Sequence, residues 1–230
     1  MAVNTAAYQQ LAAELAGKNV TLVAVSKTKP VSDIRALYDL GHRDFGENYV
    51  QELVEKQVQC PEDIRWHYIG HLQSNKVKYI APFVHLIHGV DSLKVLMEIN
   101  KQARKHNRVI NCLLQVHIAK EETKFGFSDA ELMEIMDSVH KSKQAGDLQN
   151  VEILGLMGMA SNTDDMEQVR KEFKYLKHLF NQCAQLQPGT MKILSMGMSN
   201  DYQVAIEEGS NMVRIGSLIF GSRPTPLSGI

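Results

Sequence analysis

Residues 20–30 read VTLVAVSKTKP, an apolar run rich in β-branched side chains that is followed by polar residues and a proline. Such a run is typical of a buried strand in a parallel sheet. Pro30, with Ser32–Asp33 just beyond it, is typical of the start of a helix. A strand that leads directly into a helix is half of a β/α repeat, and it places Lys27 at the carboxyl end of the strand.

The same alternation continues through the chain. Eight short apolar or β-rich runs predict strands at 20–26, 43–46, 65–70, 84–90, 109–118, 151–157, 191–196 and 211–215. Apolar residues at helical spacing predict helices between them, for example at 4–16, 91–106, 128–142 and 163–186. Eight such repeats in 230 residues predict an α/β fold with a closed (β/α)₈ barrel of the TIM type. An open doubly wound sheet is the alternative, but the first strand lacks the G-x-G-x-x-G turn.

Signals for helix ends agree with this pattern. Asp91–Ser92 and Ser128–Asp129 each precede a predicted helix, and Glu131 stands where a capping box needs an acceptor. Gly146 supplies a helix stop. No linker or low-complexity tract interrupts the alternation, so we expect a single domain over residues 1–230.

Composition limits the class of protein. The chain is 44% hydrophobic and 22% charged, with a formal net charge of -1, so it offers no long-range attraction for nucleic acid or an anionic membrane. No secretory signal is recognisable, and no apolar run approaches the roughly 20 residues that span a bilayer. Cys60, Cys112 and Cys183 form no C-x-x-C pair. We therefore expect a cytoplasmic globular protein with free thiols, of which Cys112 is buried in a strand.

Two loops near the end of the chain are suited to binding phosphate. In a barrel of this type, phosphate commonly binds to the loops after strands seven and eight. Ser195–Asp201 (SMGMSND) combines a small turn, the Ser199 hydroxyl and the amide-rich start of a helix. After strand eight, Gly216 allows close approach and Ser217 adds a hydroxyl. Helix capping explains either loop alone, but two such loops in adjacent repeats favour a phosphate site.

Lys27 and Arg214 indicate further chemistry. A partly buried lysine in the barrel mouth can lose its charge and attack a carbonyl, as a Schiff base to pyridoxal phosphate requires. Arg214 lies within the last predicted strand and needs a buried partner. A guanidinium that faces a pyridine nitrogen only donates, so it leaves that nitrogen unprotonated and restrains carbanion chemistry. The alternative for Arg214 is a bridge to a carboxylate across the barrel floor.

Several motifs follow one another through nearly the whole chain. They are VAVSKTKP (23–30), FGENY (45–49), WHYIGHLQSNK (66–76), GLMGM (155–159), SMGMSND (195–201), and VRIGS (213–217) with FG (220–221). In this order they resemble the motifs of the pyridoxal phosphate homeostasis proteins, which are single-domain relatives of the N-terminal barrel domain of alanine racemase.

The resemblance implies a set of residues that bind pyridoxal 5'-phosphate. They are Lys27, Asn48, Gly197, Met198, Ser199, Arg214, Gly216 and Ser217. It implies that Lys27 carries the cofactor as a Schiff base, that Arg214 faces the pyridine nitrogen, and that Asn48 lies near the ring. The five residues of the two loops would hold the phosphate. Ser217 stands where many relatives have threonine, and it keeps the hydroxyl. Lys124, in a KFGF turn, is a second lysine near the mouth, and we interpret it as an ordinary solvated loop residue.

The function that the resemblance implies is that of a cofactor carrier. Alanine racemase takes one of its two catalytic bases from a second, β-rich domain, and this chain ends soon after its eighth repeat. We therefore expect a monomer without catalytic residues, which binds pyridoxal phosphate and transfers it to apo-enzymes to maintain vitamin B6 homeostasis. Because transimination is reversible, a Schiff base suits such a carrier.

Two other classes compete with the carrier. A low-activity amino-acid racemase would use Lys27 as one base and His71 or Tyr49 as the other, although helix capping by His71 and packing of Tyr49 at a helix start explain those residues equally. A metal hydrolase would use paired histidines. The available pairs are His67 with His71 and His85 with His88. They do not lie on one helix and no carboxylate is placed to complete a site, so we expect no metal.

Overall fold

Eight parallel strands close into a barrel in the computed structural model, which describes residues 3–121 and 123–221. The strands are β1 Thr21–Val25, β2 Asp44–Glu47, β3 Arg65–Tyr68, β4 Leu86–Val90, β5 Ile110–Val116, β6 Val151–Gly158, β7 Ile193–Ser195 and β8 Met212–Ile215. They pair in sequence order, and β1 pairs with β8 to close the sheet. The predicted (β/α)₈ barrel is therefore confirmed, and the open sheet is excluded because each of the eight strands has a neighbour on both sides.

Helices cover the outside of the strands. In the described part of the chain they are α1 Thr5–Gly17, α2 Val31–Asp39, α3 Val50–Gln57, α4 Val77–Ile80, α5 Leu93–Lys105, α6 Asp129–Ala145, α7 Met166–Leu186, α8 Tyr202–Glu207 and α9 Ser217–Phe220. The predicted capping box is present, since Ser128 and Glu131 bond each other's backbone N–H groups. Gly146 ends α6 in the left-handed conformation, with φ at 86°. The helix-end signals therefore operate as the sequence predicts.

Side chains alternate between the two faces of each strand. In β1, Leu22 and Ala24 belong to the large core that packs against the helices, whereas Val23 belongs to a smaller inner cluster. The buried members of that inner cluster are Val23, Leu86, Leu113, Met157 and Met212. The interior is therefore filled with side chains, and inward positions near the carboxyl ends of the strands line the mouth.

The cysteines and the apolar segments of the chain bear on two further expectations. Cys112 lies buried in β5, as predicted, and all three cysteines are free thiols. Within the ranges that the structure describes, no helix combines the length and apolar character needed to cross a membrane.

Candidate functional site

A cavity of about 550 Å³ opens at the carboxyl ends of the strands. This volume lies within the roughly 300–1,000 Å³ of typical small-molecule sites. Most of the residues predicted to bind the cofactor line it, namely Lys27, Asn48, Met198, Ser199, Arg214, Gly216 and Ser217. Barrel closure therefore brings together residues from β1, β2, β7 and β8 and the segments that follow them.

The backbone on both sides of Lys27 is held in place. Lys27 itself is half-buried. On one side, the carbonyl oxygen of Ser26 accepts a hydrogen bond from Lys56 Nζ at 2.7 Å. On the other side, the Thr28 N–H donates to Glu52 Oε1 at 2.5 Å, and Thr28 adopts a left-handed φ of 64°. This conformation is unfavourable for a β-branched residue, so the Glu52 contact compensates for local strain.

Those contacts belong to a buried ionic cluster that consists of Lys56, Glu47, Glu52 and Ser26. Lys56 Nζ lies 2.8 Å from Glu47 Oε1 and 2.6 Å from Glu52 Oε1, and the Ser26 hydroxyl donates to Glu47 at 2.6 Å. Burial raises the pKa of Glu47, and the neighbouring ammonium of Lys56 opposes that shift. One buried cation therefore links β2 and α3 to the loop that carries Lys27.

The loop after β7 depends on a glycine. Gly197 has a φ of 98°, and a Cβ atom there would lie 2.6 Å from the Cβ of Ala205 in α8. The Met198 N–H donates to Asp201 Oδ1 at 2.6 Å. Burial raises the pKa of Asp201, and this hydrogen bond opposes the shift. Gly197 therefore shapes the turn without lining the cavity, and the Met198 amide is engaged within the loop.

Unpaired backbone donors face the same cavity. The N–H groups of Ser199, Asn200, Gly216 and Ser217 have no acceptor among the described residues, and the hydroxyls of Ser199 and Ser217 are likewise unpaired there. Neighbouring amides and hydroxyls of this kind form an anion-binding concavity without needing a lysine. The structure thus adds Asn200 to the predicted loop residues.

Arg214 is almost fully buried, with an exposed fraction of 4%. Its Nη1 donates to Ser195 Oγ at 2.6 Å and its Nη2 donates to the carbonyl oxygen of Gly158 at 3.0 Å. No carboxylate of the described residues forms a salt bridge with it, so the alternative of a bridge across the barrel floor is wrong. Burial lowers the pKa of Arg214 to about 10, which still leaves the guanidinium charged at neutral pH. It therefore presents a fixed donor to the cavity.

Asn48 contributes an unsatisfied acceptor. It follows β2 directly and lines the cavity. Its Oδ1 atom is buried and accepts no hydrogen bond within the described ranges. Because a buried polar atom without a partner is costly, this oxygen is suited to a ligand that brings a donor.

Two lysines that were not predicted to bind the cofactor also line the cavity. Lys29 Nζ donates to the carbonyl oxygen of Phe220 at 2.8 Å. Lys124 Nζ donates to the carbonyl oxygen of Ala160 at 2.6 Å and lies 3.1 Å from Glu121 Oε1. Our interpretation of Lys124 as a solvated loop residue is therefore wrong. Only its place in the KFGF turn indicated its proximity, because the loop after β6 that it contacts carries no recognisable motif.

The residues considered for a second catalytic base do not line the cavity. The His71 ring stacks on Phe125 at a centroid distance of 3.9 Å, and its Nδ1 lies 2.8 Å from Asp91 Oδ2. His71 therefore does not cap the following helix. Tyr49 occupies the position before α3 with 55% of its surface exposed.

The histidines considered for a metal site meet in an unexpected pairing. His67 Nδ1 lies 2.9 Å from His88 Nε2, and Asp44 Oδ1 lies 3.0 Å from His67 Nε2. A carboxylate therefore lies within hydrogen-bond distance of one of these histidines. Even so, the described part of the chain contains no group of three or more histidine, cysteine, aspartate or glutamate side chains that could hold a metal ion.

Comparisons with known proteins show the family and agree with the fold. The family model of the alanine racemase N-terminal domain matches residues 4–224. The pyridoxal phosphate homeostasis protein of Aquifex aeolicus is 40% identical over 218 residues, which cover 93% of this chain and 93% of that protein.

Solved structures with the same barrel fold also resemble this chain. PipY of Synechococcus elongatus with PLP bound is 34% identical, with a TM-score of 0.77 over 88% of this chain and 93% of that chain. Alanine racemase from Streptomyces coelicolor A3(2) gives a TM-score of 0.73 at 14% identity, over 92% of this chain and 57% of that chain. At this identity, the second likeness shows the fold alone.

Replacement of Lys56 tests the buried cluster. In Lys56→Met, Glu47 and Glu52 lose their shared cation, so we expect the free energy of unfolding to fall by about 3–5 kcal/mol. Urea denaturation measures the change. Lys141→Met, which breaks an exposed pair with Asp137, should cause little or no loss. Adding Glu47→Gln to Lys56→Met should recover part of the stability; no recovery would show that the unpaired carboxylate is not the cause.

Proposed function

Because this chain belongs to the alanine racemase N-terminal-domain family and, within it, to the pyridoxal phosphate homeostasis proteins, we propose that it binds pyridoxal 5'-phosphate and acts as a carrier of that cofactor. One observation carries the proposal. Four unpaired N–H groups and two unpaired hydroxyls of the described loops share a cavity with Lys27 and Arg214. A phosphate, an aldehyde and a pyridine ring are the three parts of the cofactor that such a set fits.

Each part of the cofactor has a matching group in the cavity. Lys27 Nζ forms the Schiff base with the aldehyde carbon, and water leaves. The N–H groups of Ser199, Asn200, Gly216 and Ser217 and the two serine hydroxyls hold the phosphate, whereas Gly197 and Met198 shape the turn that presents them. Arg214 donates towards the pyridine nitrogen, and Asn48 lies beside the ring.

The charge of the cavity also favours an anionic ligand. The cationic side chains among the described lining residues are Lys27, Lys29, Lys124 and Arg214, against the carboxyl groups of Asp164 and Asp201. This excess of positive charge offsets part of the phosphate charge, whereas the whole chain has a net charge of only -1. Selectivity for the cofactor therefore resides in the local site.

Carrier function is supported by what the cavity offers for catalysis. Bound pyridoxal phosphate supplies an electron sink, but Arg214 donates to the ring nitrogen and so keeps that sink weak. No histidine, tyrosine or cysteine is found among the described lining residues. The proposed carrier is a cytoplasmic monomer that passes its cofactor to apo-enzymes and thereby maintains vitamin B6 homeostasis.

A low-activity amino-acid racemase is the second candidate. The specific observation in its favour is Lys124, a second amino group in the same cavity. Exchange of the α-proton of amino acids in heavy water distinguishes the two functions. Exchange that disappears in both Lys27→Met and Lys124→Met would favour the racemase.

The Schiff-base assignment predicts covalent trapping on one lysine. After incubation with pyridoxal phosphate, the protein should absorb visible light, and borohydride should bleach it and attach the reduced cofactor to Lys27. Peptide mass spectrometry locates the label. Lys27→Arg should lose the label, whereas Lys78→Arg, on the surface helix α4, should keep it. A colourless protein would overturn cofactor binding, and a label on Lys29 or Lys124 would overturn the assignment of the lysine alone.

The phosphate assignment predicts a loss of affinity. A Ser199→Ala, Ser217→Ala variant removes two hydroxyl hydrogen bonds to a charged group, so we expect at least a tenfold rise in the Kd for pyridoxal phosphate. Absorption titration measures it. Ser138→Ala, inside α6, is the matched control and should not change the Kd. Equal Kd values for all variants would contradict the phosphate assignment.

The carrier function predicts direct transfer. The loaded protein should reactivate an apo-enzyme that depends on pyridoxal phosphate even when a trap consumes free cofactor, because transimination releases the cofactor on contact. The same concentration of free pyridoxal phosphate should fail under these conditions. If the trap abolishes reactivation by both sources, the protein is a buffer that only releases cofactor to solution.

A further inference from the structure

A continuous line of hydrogen bonds crosses the barrel interior. Arg214 Nη1 lies 2.6 Å from Ser195 Oγ, which lies 3.1 Å from His88 Nδ1. His88 Nε2 lies 2.9 Å from His67 Nδ1, and His67 Nε2 lies 3.0 Å from Asp44 Oδ1. Three side chains therefore join the guanidinium of Arg214 to the carboxylate of Asp44.

This line runs from one end of the barrel to the other. Arg214 lines the mouth cavity, whereas Asp44 and His67 line a separate cavity of about 230 Å³. Asp44 and Arg65 are the first residues of β2 and β3, so this second cavity lies at the amino ends of the strands. His88 of β4 and Ser195 of β7 come from strands that are not neighbours, so their contact passes through the interior.

The members of the line are shielded and anchored. Ser195, His88 and His67 have exposed fractions of 0%, 0% and 1%. Arg65 donates to both oxygens of Asp44, at 2.7 and 2.5 Å. Burial would raise the pKa of Asp44, but the hydrogen bonds from Arg65 and His67 outweigh it and lower the pKa far below its usual value. Burial also holds the pKa of His88 well below its usual value.

When both imidazole rings are neutral, the two ends dictate the direction of every bond. A carboxylate only accepts, so His67 donates from Nε2 and its Nδ1 becomes an acceptor when the ring is neutral. His88 must then donate from Nε2 and accept at Nδ1. The Ser195 hydroxyl consequently donates to His88, which leaves the lone pairs of Ser195 for Arg214. Since a guanidinium only donates, the arrangement is consistent along its whole length.

We propose that Ser195, His88 and His67 form a one-way hydrogen-bond relay that ties Arg214 to Asp44 and fixes the guanidinium as an oriented donor in the mouth. Ser195, His88 and His67 are positioning residues, because they act on the ligand only through Arg214. The consequence for bound pyridoxal phosphate rests on the proposed function; the relay itself is a property of the protein without ligand.

The first test determines which ring nitrogens of His67 and His88 carry a proton in the ligand-free full chain. Nitrogen-15 NMR of the imidazole rings at neutral pH should show His67 and His88 both neutral and both protonated on Nε2. Signals that vanish in His67→Phe and His88→Phe assign the two rings, and His178→Phe, on the surface of α7, is the control. A proton on Nδ1 of either ring, or an imidazolium at either position, would overturn the relay.

The second test measures how loss of the Ser195 hydroxyl affects cofactor bound at the mouth. In the loaded protein, Ser195→Ala should shift the visible absorption maximum of the cofactor and raise its Kd about tenfold, because Arg214 loses its oriented acceptor. Ser195→Thr keeps the hydroxyl and should restore both values. Ser210→Ala removes a buried hydroxyl that bonds only backbone carbonyls of the same region, so it should change neither.

The two tests separate the possible failures. An unchanged spectrum and Kd in Ser195→Ala would show that the relay does not act on the cofactor. Failure of the unaltered protein to take up pyridoxal phosphate would overturn the proposed function, while the NMR result would still decide the relay. Equal effects of Ser195→Ala and Ser210→Ala would indicate general loosening of β7 and β8 and would overturn the positioning role.

Discussion

The pairing of β1 with β8 is the interaction on which the mouth of this barrel depends. Val23 pairs with Arg214 and Ala24 with Ile215, so the segments that leave both strands reach the same rim. A Cβ atom at Gly216 would lie 3.2 Å from the carbonyl oxygen of Val25, which shows how closely the two segments approach. Residues from the beginning and the end of the chain thereby share one cavity, and neither half of the site exists without closure.

A buried network supports each of two cationic residues of the proposed site, Lys27 and Arg214. The Lys56 cluster holds the backbone beside Lys27, and the relay holds Arg214. Buried charges are costly unless they are paired and hydrogen-bonded. Both networks satisfy this requirement with partners that do not line the cavity. Preorganisation of this kind reduces the entropy lost when a ligand binds.

Sequence alone predicts the elements and the two loops, because strand periodicity, helix caps and small-residue turns are local properties. It does not predict the relay. His67 and His88 occupy inward positions, as their alternation with Tyr68 and Ile87 indicates, but the partner of an inward side chain depends on how the strands are staggered around the barrel. The histidines therefore looked like sequence pairs, whereas the structure pairs them across strands. The contact of Lys124 with Ala160 was not predicted for a similar reason, since it joins two loops that are distant in sequence.

In the proposed site, different segments bind the phosphate and the aldehyde of the cofactor, and this separation favours a carrier over a catalyst. Retention in the proposed site comes from the loops after β7 and β8, whereas the covalent bond comes from the segment after β1. These groups would act on opposite parts of the cofactor, so exchange of the proposed imine at Lys27 would leave the phosphate contacts intact until the acceptor has formed its own bond. A catalyst would need the reverse emphasis, with a protonated ring nitrogen and a positioned acid and base. By fixing Arg214 as a donor from the far end of the barrel, the proposed relay would oppose that protonation and so would keep a bound cofactor unreactive during transfer.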